Sequence, residues 1–359
     1  MTFSVEKRRV FIRIGNAWAV YGEAPNMNGV EWRYEYENDE TTHVLAGDAF
    51  EISFTCEAVS GTGKYKIFAH FASGKGANYS VEFTGDWVGA DGDSGKCGVL
   101  TVEKANVNLN GVVYGGTRVV YDGLLHGLTL SGVPAGVTYT LAYTDGVYGY
   151  GANGVKNAGV YTVEITFEIA DEAVRANYNA IPAQTVTLEI TKAPLTVKAN
   201  DNAIVYGDEP SANGVDWANA GFKNGETPES SDLQGALTYV YNYARYGAAG
   251  NYRITPAGLT SDNYEITFTA GMLTVEKRVL SVEWFDDASR SSKTFAYRAD
   301  GSAHAPYAVA GNLVNGDKVT LTVSGATSET GVGHLATVTG VDNANYAIPA
   351  NGTQSGKFD

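Results

Sequence analysis

Gly92-Asp93-Ser94-Gly95 carries the Asp-Ser-Gly order of a serine nucleophile, chemistry that needs a histidine base, a carboxylate to orient it and a backbone pocket for the oxyanion. The phrase sits in a glycine-rich stretch between two alternating segments, so a solvated turn is expected and catalysis is not. Asp86, Asp91 and Asp93 in the same stretch could offer oxygens to calcium, which takes six or more of them. No bidentate acid follows at a set distance, so the expectation is an acidic loop without metal. Cys56 and Cys97 are the 2 cysteines of the chain, which permits a disulfide in an oxidising compartment. Against it, Cys56 shares the parity of Ile52 and Phe54, whereas Cys97 lies off the parity of Leu100 and Val102. Two thiols with no histidine pair beside them do not complete a zinc site.

His126 and His304 follow equivalent Asp-Gly turns at Asp122-Gly123 and Asp300-Gly301. A histidine repeated in separate segments points to a structural ring-to-backbone bond after each turn, not to one shared site. Gly149-Tyr150-Gly151-Ala152-Asn153-Gly154 has the glycine spacing of a dinucleotide loop, but that fingerprint needs a strand before it and a helix after it. A hairpin end is expected instead. The same stretch holds the best binding candidate, Tyr143, Tyr148 and Tyr150 beside Asp145, Asn153 and Asn157. Aromatic planes next to amide and carboxylate groups suit sugar rings, and Tyr243 and Tyr246 offer a weaker echo. The competing reading is that these tyrosines pack over sheet edges and loops. No catalytic residue, cofactor or metal ligand set is expected.

The elements that hold these residues repeat. Asn-Tyr followed by an alternating segment occurs at Asn78-Tyr79, Asn177-Tyr178, Asn263-Tyr264 and Asn345-Tyr346, spaced by 99, 86 and 82 residues, the scale of a small domain. Shifting by 185 positions lays Val20-Tyr21-Gly22-Glu23 on Val205-Tyr206-Gly207-Asp208, Pro25 on Pro210 and Trp32 on Trp217. Residues 85–98 stand where the later copy has only Ala270-Gly271, which reads as an inserted loop. The second and fourth copies share Asp-Gly-x-x-His and an Asn-Tyr followed by Ile-Pro-Ala. Four modules of two alternating kinds are expected, at residues 8–104, 105–193, 194–278 and 279–359, each sealing its own interior. Junctions at Lys104-Ala105, Lys192-Ala193 and Lys277-Arg278 leave almost no linker, so an extended rod is expected. Within each Asn-Tyr, asparagine should bond its own backbone at a corner while tyrosine buries its ring.

With 359 residues, 43 glycines, 23 tyrosines and large apolar residues at alternate positions, as in Tyr264-Glu265-Ile266-Thr267-Phe268-Thr269, the chain reads as nearly all β. The helix-start chemistry of Gly225-Glu226-Thr227-Pro228 through Leu233 predicts one short helix in the third module. A net charge of −15 without a basic cluster argues against nucleic acid and anionic lipid. No apolar run reaches the roughly 20 residues that cross a bilayer, so no membrane contact is expected within this stretch. Ser4-Val5-Glu6-Lys7 is similar to Leu273-Thr274-Val275-Glu276-Lys277, so the sequence is expected to begin inside a longer protein.

Tyr-Gly-Asp/Glu-x-x-Pro, the closing Asn-Tyr segment and Leu-Thr-Val-x-Lys together resemble the YGX-type MBG repeats of bacterial surface proteins, most fully over residues 199–277. The Asp-Gly-x-x-His modules resemble companion bacterial Ig-like repeats. The resemblance implies β-sandwich (Ig-like) or β-grasp-like modules in a large, exported or wall-attached, adhesin-like protein, with no catalytic residues to carry over. A monomer that acts as stalk and display surface follows, extracellular, meeting a host or cell-surface glycan or protein. The alternative is a carbohydrate-binding accessory region of a secreted enzyme, working through the tyrosine loop of the second module.

Overall fold

Alternating valine and isoleucine give Arg8–Ile14 one face of Val10, Ile12 and Ile14, each at most 1% exposed, and the computed structural model uses that strand to open a sandwich. The structure describes residues 2–35, 44, 48, 50–71, 78–211, 214–296, 298–326, 328, 331–350 and 353–358. Nearly all regular structure among them is β. The chain separates into two compact units, the first made of Met1–Thr117, Leu125–Val155 and Val160–Glu189, the second of Arg118–Leu124, Lys156–Gly159 and Ile190–Asp359.

In the first unit, Arg8–Ile14 runs antiparallel to Trp32–Glu35 and parallel to Tyr79–Thr84. A second sheet has the order Ala17–Val20, Gly98–Glu103, Gly63–Phe71, Ile52–Cys56. Val10, Ile12, Phe50 and Tyr79 form one core cluster, and Ile14, Val30, Ile67, Leu100 and Val102 another. Each such side chain contributes about 1.5–3 kcal/mol by leaving water. Residues 85–97 form the inserted loop, closed by backbone bonds from Gly95 N to Trp87 O (2.8 Å) and from Trp87 N to Cys97 O (2.9 Å). Further along, Val137–Thr144 pairs antiparallel with Gly159–Ile169, whose Tyr161, Val163, Ile165, Phe167 and Ile169 alternate into the interior.

The second unit repeats the first arrangement. Ala193–Lys198 runs parallel to Tyr264–Thr269, with Ala193 opposite Tyr264 as Arg8 is opposite Tyr79, and its four-stranded sheet has the order Asn202–Val205, Gly271–Glu276, Gly250–Thr260, Gln234–Tyr241. Beyond it, Ser281–Phe285 pairs with Tyr307–Gly311, and Leu321–Ser324 with Gly331–Val341.

Two expectations change. The interiors are not each sealed, because one core cluster joins Tyr206, Ile254, Leu273 and Val275 of the third module to Leu280 and Tyr346 of the fourth, with Leu313 and Val314 packed against it. With Glu276 ending one strand and Arg278 starting the next, no linker separates the two interiors, and their apolar ends are covered by each other. The segment at Gly225 to Leu233 makes a turn, with Ser231 N bonded to Thr227 O at 2.9 Å, instead of a helix. Among the described residues the helical pieces are Met27–Gly29, a 3-10 turn, and Glu172–Arg175, capped where Asp171 accepts from Ala173 N (2.8 Å) and Val174 N (3.1 Å).

Candidate functional site

Each Asn-Tyr sits where a new module starts. Parallel pairing brings the first residue after a junction beside the tyrosine, and the asparagine carbonyl accepts the bond: Ala105 N to Asn177 O (3.0 Å), Ala193 N to Asn263 O (3.0 Å) and Arg278 N to Asn345 O (2.9 Å). The asparagine side chain is then free to reach outward. Asn263 Oδ1 accepts from Ala158 N (2.8 Å) and Asn345 Oδ1 from Ala249 N (2.8 Å), in each case the residue just before a long strand. Asn177 Oδ1 likewise takes Thr62 N (2.7 Å) and Thr62 Oγ1 (3.2 Å), just before Gly63–Phe71. The expectation that asparagine bonds local backbone at the corner holds for Asn177, whose Nδ2 donates to Ala173 O at 3.2 Å, but it misses what the amide oxygen does. Its amide closes a loop far away in sequence, and the physical reason is the donor left over where that loop enters a strand.

The tyrosines meet partners in the same way. In the first unit Tyr178 lies edge-on to Tyr21, ring centres 5.5 Å apart. In the second, Tyr264 lies edge-on to Tyr121 at 5.3 Å and Tyr346 to Tyr206 at 5.5 Å. Such edge-to-face pairs contribute about 0.5–1.5 kcal/mol beyond burial. Carboxylates tie the hydroxyls together. Tyr121 and Tyr264 donate to the two oxygens of Glu226, both at 2.6 Å, with Lys156 Nζ 3.6 Å from that acid. Tyr206 and Tyr346 both donate to Asp317 Oδ2 at 2.9 Å. In the first module Tyr79 donates to Asp48 at 2.6 Å and packs on Phe50.

At two of the three joints the glycine after the partner tyrosine has a steric cause, whereas a Cβ at Gly22 would meet nothing within 4 Å. Gly207 has φ +93° and a Cβ there would lie 2.7 Å from Val314 Cγ2; Gly123, φ +79°, would place one 2.7 Å from Asn224 Cβ. Burial, then donation to Glu226, pushes Tyr264 up to about 12, and burial first also raises Tyr121, Tyr206 and Tyr346. Phenols kept neutral in this way hold hydrogen bonds and offer no nucleophile.

The other candidates disperse. Tyr143 is buried, 2% exposed, and its hydroxyl accepts from Leu128 N at 2.8 Å, so it cannot line a sugar site. Tyr150 donates to Asp145 Oδ2 (2.5 Å) and leans on Tyr161, while Tyr148 is 68% exposed at the hairpin tip. Asp145 also accepts from Val147 N and Tyr148 N, so its carboxylate is fully engaged. Residues 149–154 close that hairpin, with Tyr150 N bonded to Tyr143 O. Tyr243 is buried, and Tyr246 stacks under Arg245.

Asp91 and Asp93 hold Lys66 Nζ at 2.5 and 2.8 Å, and Asp86 pairs with Arg13 and Asn16, so the insertion's acids face cations from the protein itself. Ser94 lies in the turn closed by Lys96 N to Asp93 O. Among the described residues no cluster of three or more metal-ligating side chains occurs, and no helix is long and apolar enough to cross a membrane, which leaves β-barrels aside. Cys56 and Cys97 are free thiols. Cys56 is opposite Ile67 and Ile67 opposite Gly98, which puts the middle strand between the two cysteines, about 10 Å by strand spacing. His126 bonds Val155 through backbone atoms, and the buried His304 ring meets the Asp286 carboxylate, which Arg298 also holds at 2.8 Å.

The residues missed in sequence were the joint's other half, Tyr21, Tyr121 and Tyr206 with Glu226 and Asp317. A signal existed, since each of those tyrosines directly precedes a Gly or Asp-Gly turn.

Residues 195–274 match the family model described as MBG domain (YGX type), so for the third module the resemblance holds by direct comparison. The comparison with curated proteins found no match. Among solved structures, the chain is similar to the three N-terminal domains of the bacteriophage RB49 Highly Immunogenic Outer Capsid protein (Hoc), at 10% identity over 64% of this chain and 100% of that one, with a TM-score of 0.21. It is also similar to Drosophila N-cadherin EC1-3, at 8% identity over 67% of this chain and 93% of that one, with a TM-score of 0.20.

Proposed function

We propose that this chain is a structural and adhesive repeat region of a bacterial cell-surface or secreted protein, serving as stalk and display surface without catalysis. The observation that carries the reading is the joint itself: asparagine amide on a loop N–H and tyrosine edge on tyrosine recur at Asn177-Tyr178, Asn263-Tyr264 and Asn345-Tyr346. A chain that spends buried tyrosines and asparagine amides on fixing one segment against another is built for geometry. Its phenols are held neutral and its acids are engaged, which supports display over reaction. The MBG match supports the setting. Protease shaving of intact producing cells tests it: peptides of this chain should be released before lysis, and a chain protected until lysis overturns the reading.

A further inference from the structure

The first and third modules hold two cations at the same places and differ in what meets them. Arg13 lies opposite Thr84 and Lys198 opposite Thr269, each on the strand that opens its module. Lys66 lies opposite Val99 and Arg253 opposite Met272, each one step before an isoleucine that faces Gly98 or Gly271. In the first module both cations are matched by acids. Arg13 meets Asp86 and Glu35, and Lys66 Nζ meets Asp91 (2.5 Å), Asp93 (2.8 Å) and Glu57 (3.7 Å). The three aspartates among them stand on the inserted loop.

None of these acids has a counterpart in the third module. The chain passes from Thr269 to Gly271 through Ala270 alone, so the loop and its aspartates are missing. Ala220, whose carbonyl accepts from Thr196 N, takes the place of Glu35, which is opposite Phe11. Asn242 takes the place of Glu57. Each donates its N–H to the carbonyl of the cationic residue and accepts that residue's N–H on a side-chain oxygen, at 3.0 Å for Glu57 and 2.5 Å for Asn242. Among the described residues no carboxylate forms an ion pair with Lys198 or Arg253. Val99 and Lys66 are each 8% exposed beneath the loop, whereas Met272 is 43% exposed and Arg253 is exposed. What the loop covers in one module is a hollow of about 460 Å³ in the other, with Lys198 and Arg253 both on its wall. One acid shares that hollow, Asp201, whose Oδ1 is taken by Met272 N at 2.8 Å. Beyond Lys198 a second hollow holds Trp217 and Asp216, and Asn219 Nδ2 already donates to that carboxylate at 2.8 Å.

We propose that this hollow docks an acidic segment of another protein, with carboxylates spaced about as Asp86, Asp91 and Asp93 are. The chain itself says what covers such a surface, because the same two cations on the same framework are covered in the first module by a segment of that kind. One carboxylate goes to Lys198 as Asp86 goes to Arg13. Another, a few residues on, goes to Arg253 as Asp91 and Asp93 go to Lys66, and an apolar side chain between them lies over Met272. The loop of a second copy is not the occupant, since it is spent on its own Arg13 and Lys66. The assignment goes beyond the stalk reading and does not depend on it.

The test uses the full chain and a labelled synthetic peptide carrying residues 85–96, beside a second peptide with Asp86→Asn, Asp91→Asn and Asp93→Asn. Fluorescence anisotropy should show binding of the first peptide and not of the second. Lys198→Gln and Arg253→Gln should each weaken it, and the double variant by about tenfold, the size that two exposed ion pairs supply. Lys64→Gln, at an exposed cation outside the hollow, should leave binding unchanged, and Lys198→Arg should keep it. Circular dichroism verifies that the variants fold, which exposed positions favour. Overturning results are no binding of the aspartate peptide, equal binding of the asparagine peptide, no loss in the double variant, an equal loss in Lys64→Gln, or stronger binding of a uronate oligosaccharide of the same charge.

Discussion

Tyr206 and Tyr346 meet edge to face at 5.5 Å while both hydroxyls converge on a single carboxylate oxygen, Asp317 Oδ2, at 2.9 Å each. The rings are 3% and 1% exposed, so neither phenol has water as an alternative partner. One acid thus satisfies a donor from the third module and one from the fourth, inside a core cluster that both share.

Removing that acid should cost more than removing one phenol. Asp317→Ala strands two buried hydroxyls, a penalty of about 1–3 kcal/mol. Tyr206→Phe takes away a donor and leaves the carboxylate bonded to Tyr346, so a smaller loss is expected. Combining Tyr206→Phe with Asp317→Ala removes both partners of one bond, and the double variant should lose less than the two singles added together. Urea unfolding of the four proteins gives the cycle, and strict additivity would show that the two residues do not interact.

The Glu226 joint should fail at high pH. Tyr264 is raised from 10.0 to about 12, by burial first and then by donation to Glu226. A raised folded-state value means the stabilisation is complete below about pH 10 and is lost as pH climbs from there through about 12. Glu226→Gln removes the neighbouring charge, so the Tyr264 titration should move down towards the ordinary value. Ultraviolet difference titration of wild type against Tyr264→Phe isolates that hydroxyl among the 23 tyrosines. A Tyr264 that titrates with the exposed phenols refutes the account.

Much of this was readable in the sequence because it is local. Alternation in Tyr264–Thr269 reappears as a strand, the insertion read at 85–98 as a loop over 85–97, and the offset of 185 as register, Arg8 opposite Tyr79 and Ala193 opposite Tyr264. The joint was half readable: Asn-Tyr was singled out by recurrence, but its partners Tyr121 and Tyr206 lie more than fifty residues earlier, and no local rule says that an amide will reach a loop 105 residues away, as Asn263 reaches Ala158. The tyrosine cluster misled for the opposite reason. Proximity in sequence put Tyr143 with Tyr148 and Tyr150, yet strand parity turned Tyr143 inward, while Tyr148 lies exposed in the turn beyond that strand.

The insertion should loosen in acid or without its lysine. Lys66 donation holds the Asp91 carboxyl below the usual carboxylate range. A depressed folded-state value contributes fully above the usual carboxylate range and is lost as pH falls from there through the depressed value, so the loop should open first on the acid side. Lys66→Met should let the Asp91 carboxyl titrate closer to its ordinary value and should speed tryptic cutting at Lys96, while the strands on either side stay protected. Carboxyl-carbon NMR titration and timed proteolysis report the two effects. Unchanged cutting at Lys96 would mean that the ion pairs do not hold the loop.

Asn345 offers the sharpest separation of acceptor from side-chain identity. Its Oδ1 accepts from Ala249 N at 2.8 Å, and that N–H leads into Gly250–Thr260, where the neighbouring strands already occupy the other backbone groups. Asn345→Ala leaves the donor without its acceptor and should cost about 1–3 kcal/mol. Asn345→Asp keeps an oxygen in the same place while giving up the amide's donation to the Tyr206 hydroxyl, so it should cost less than alanine above the carboxylate pKa, then lose that advantage as the acid protonates. Thermal unfolding of both variants near neutral and at acid pH decides the matter. If alanine and aspartate are equally harmful at neutral pH, the contact depends on the amide for some reason other than accepting this bond.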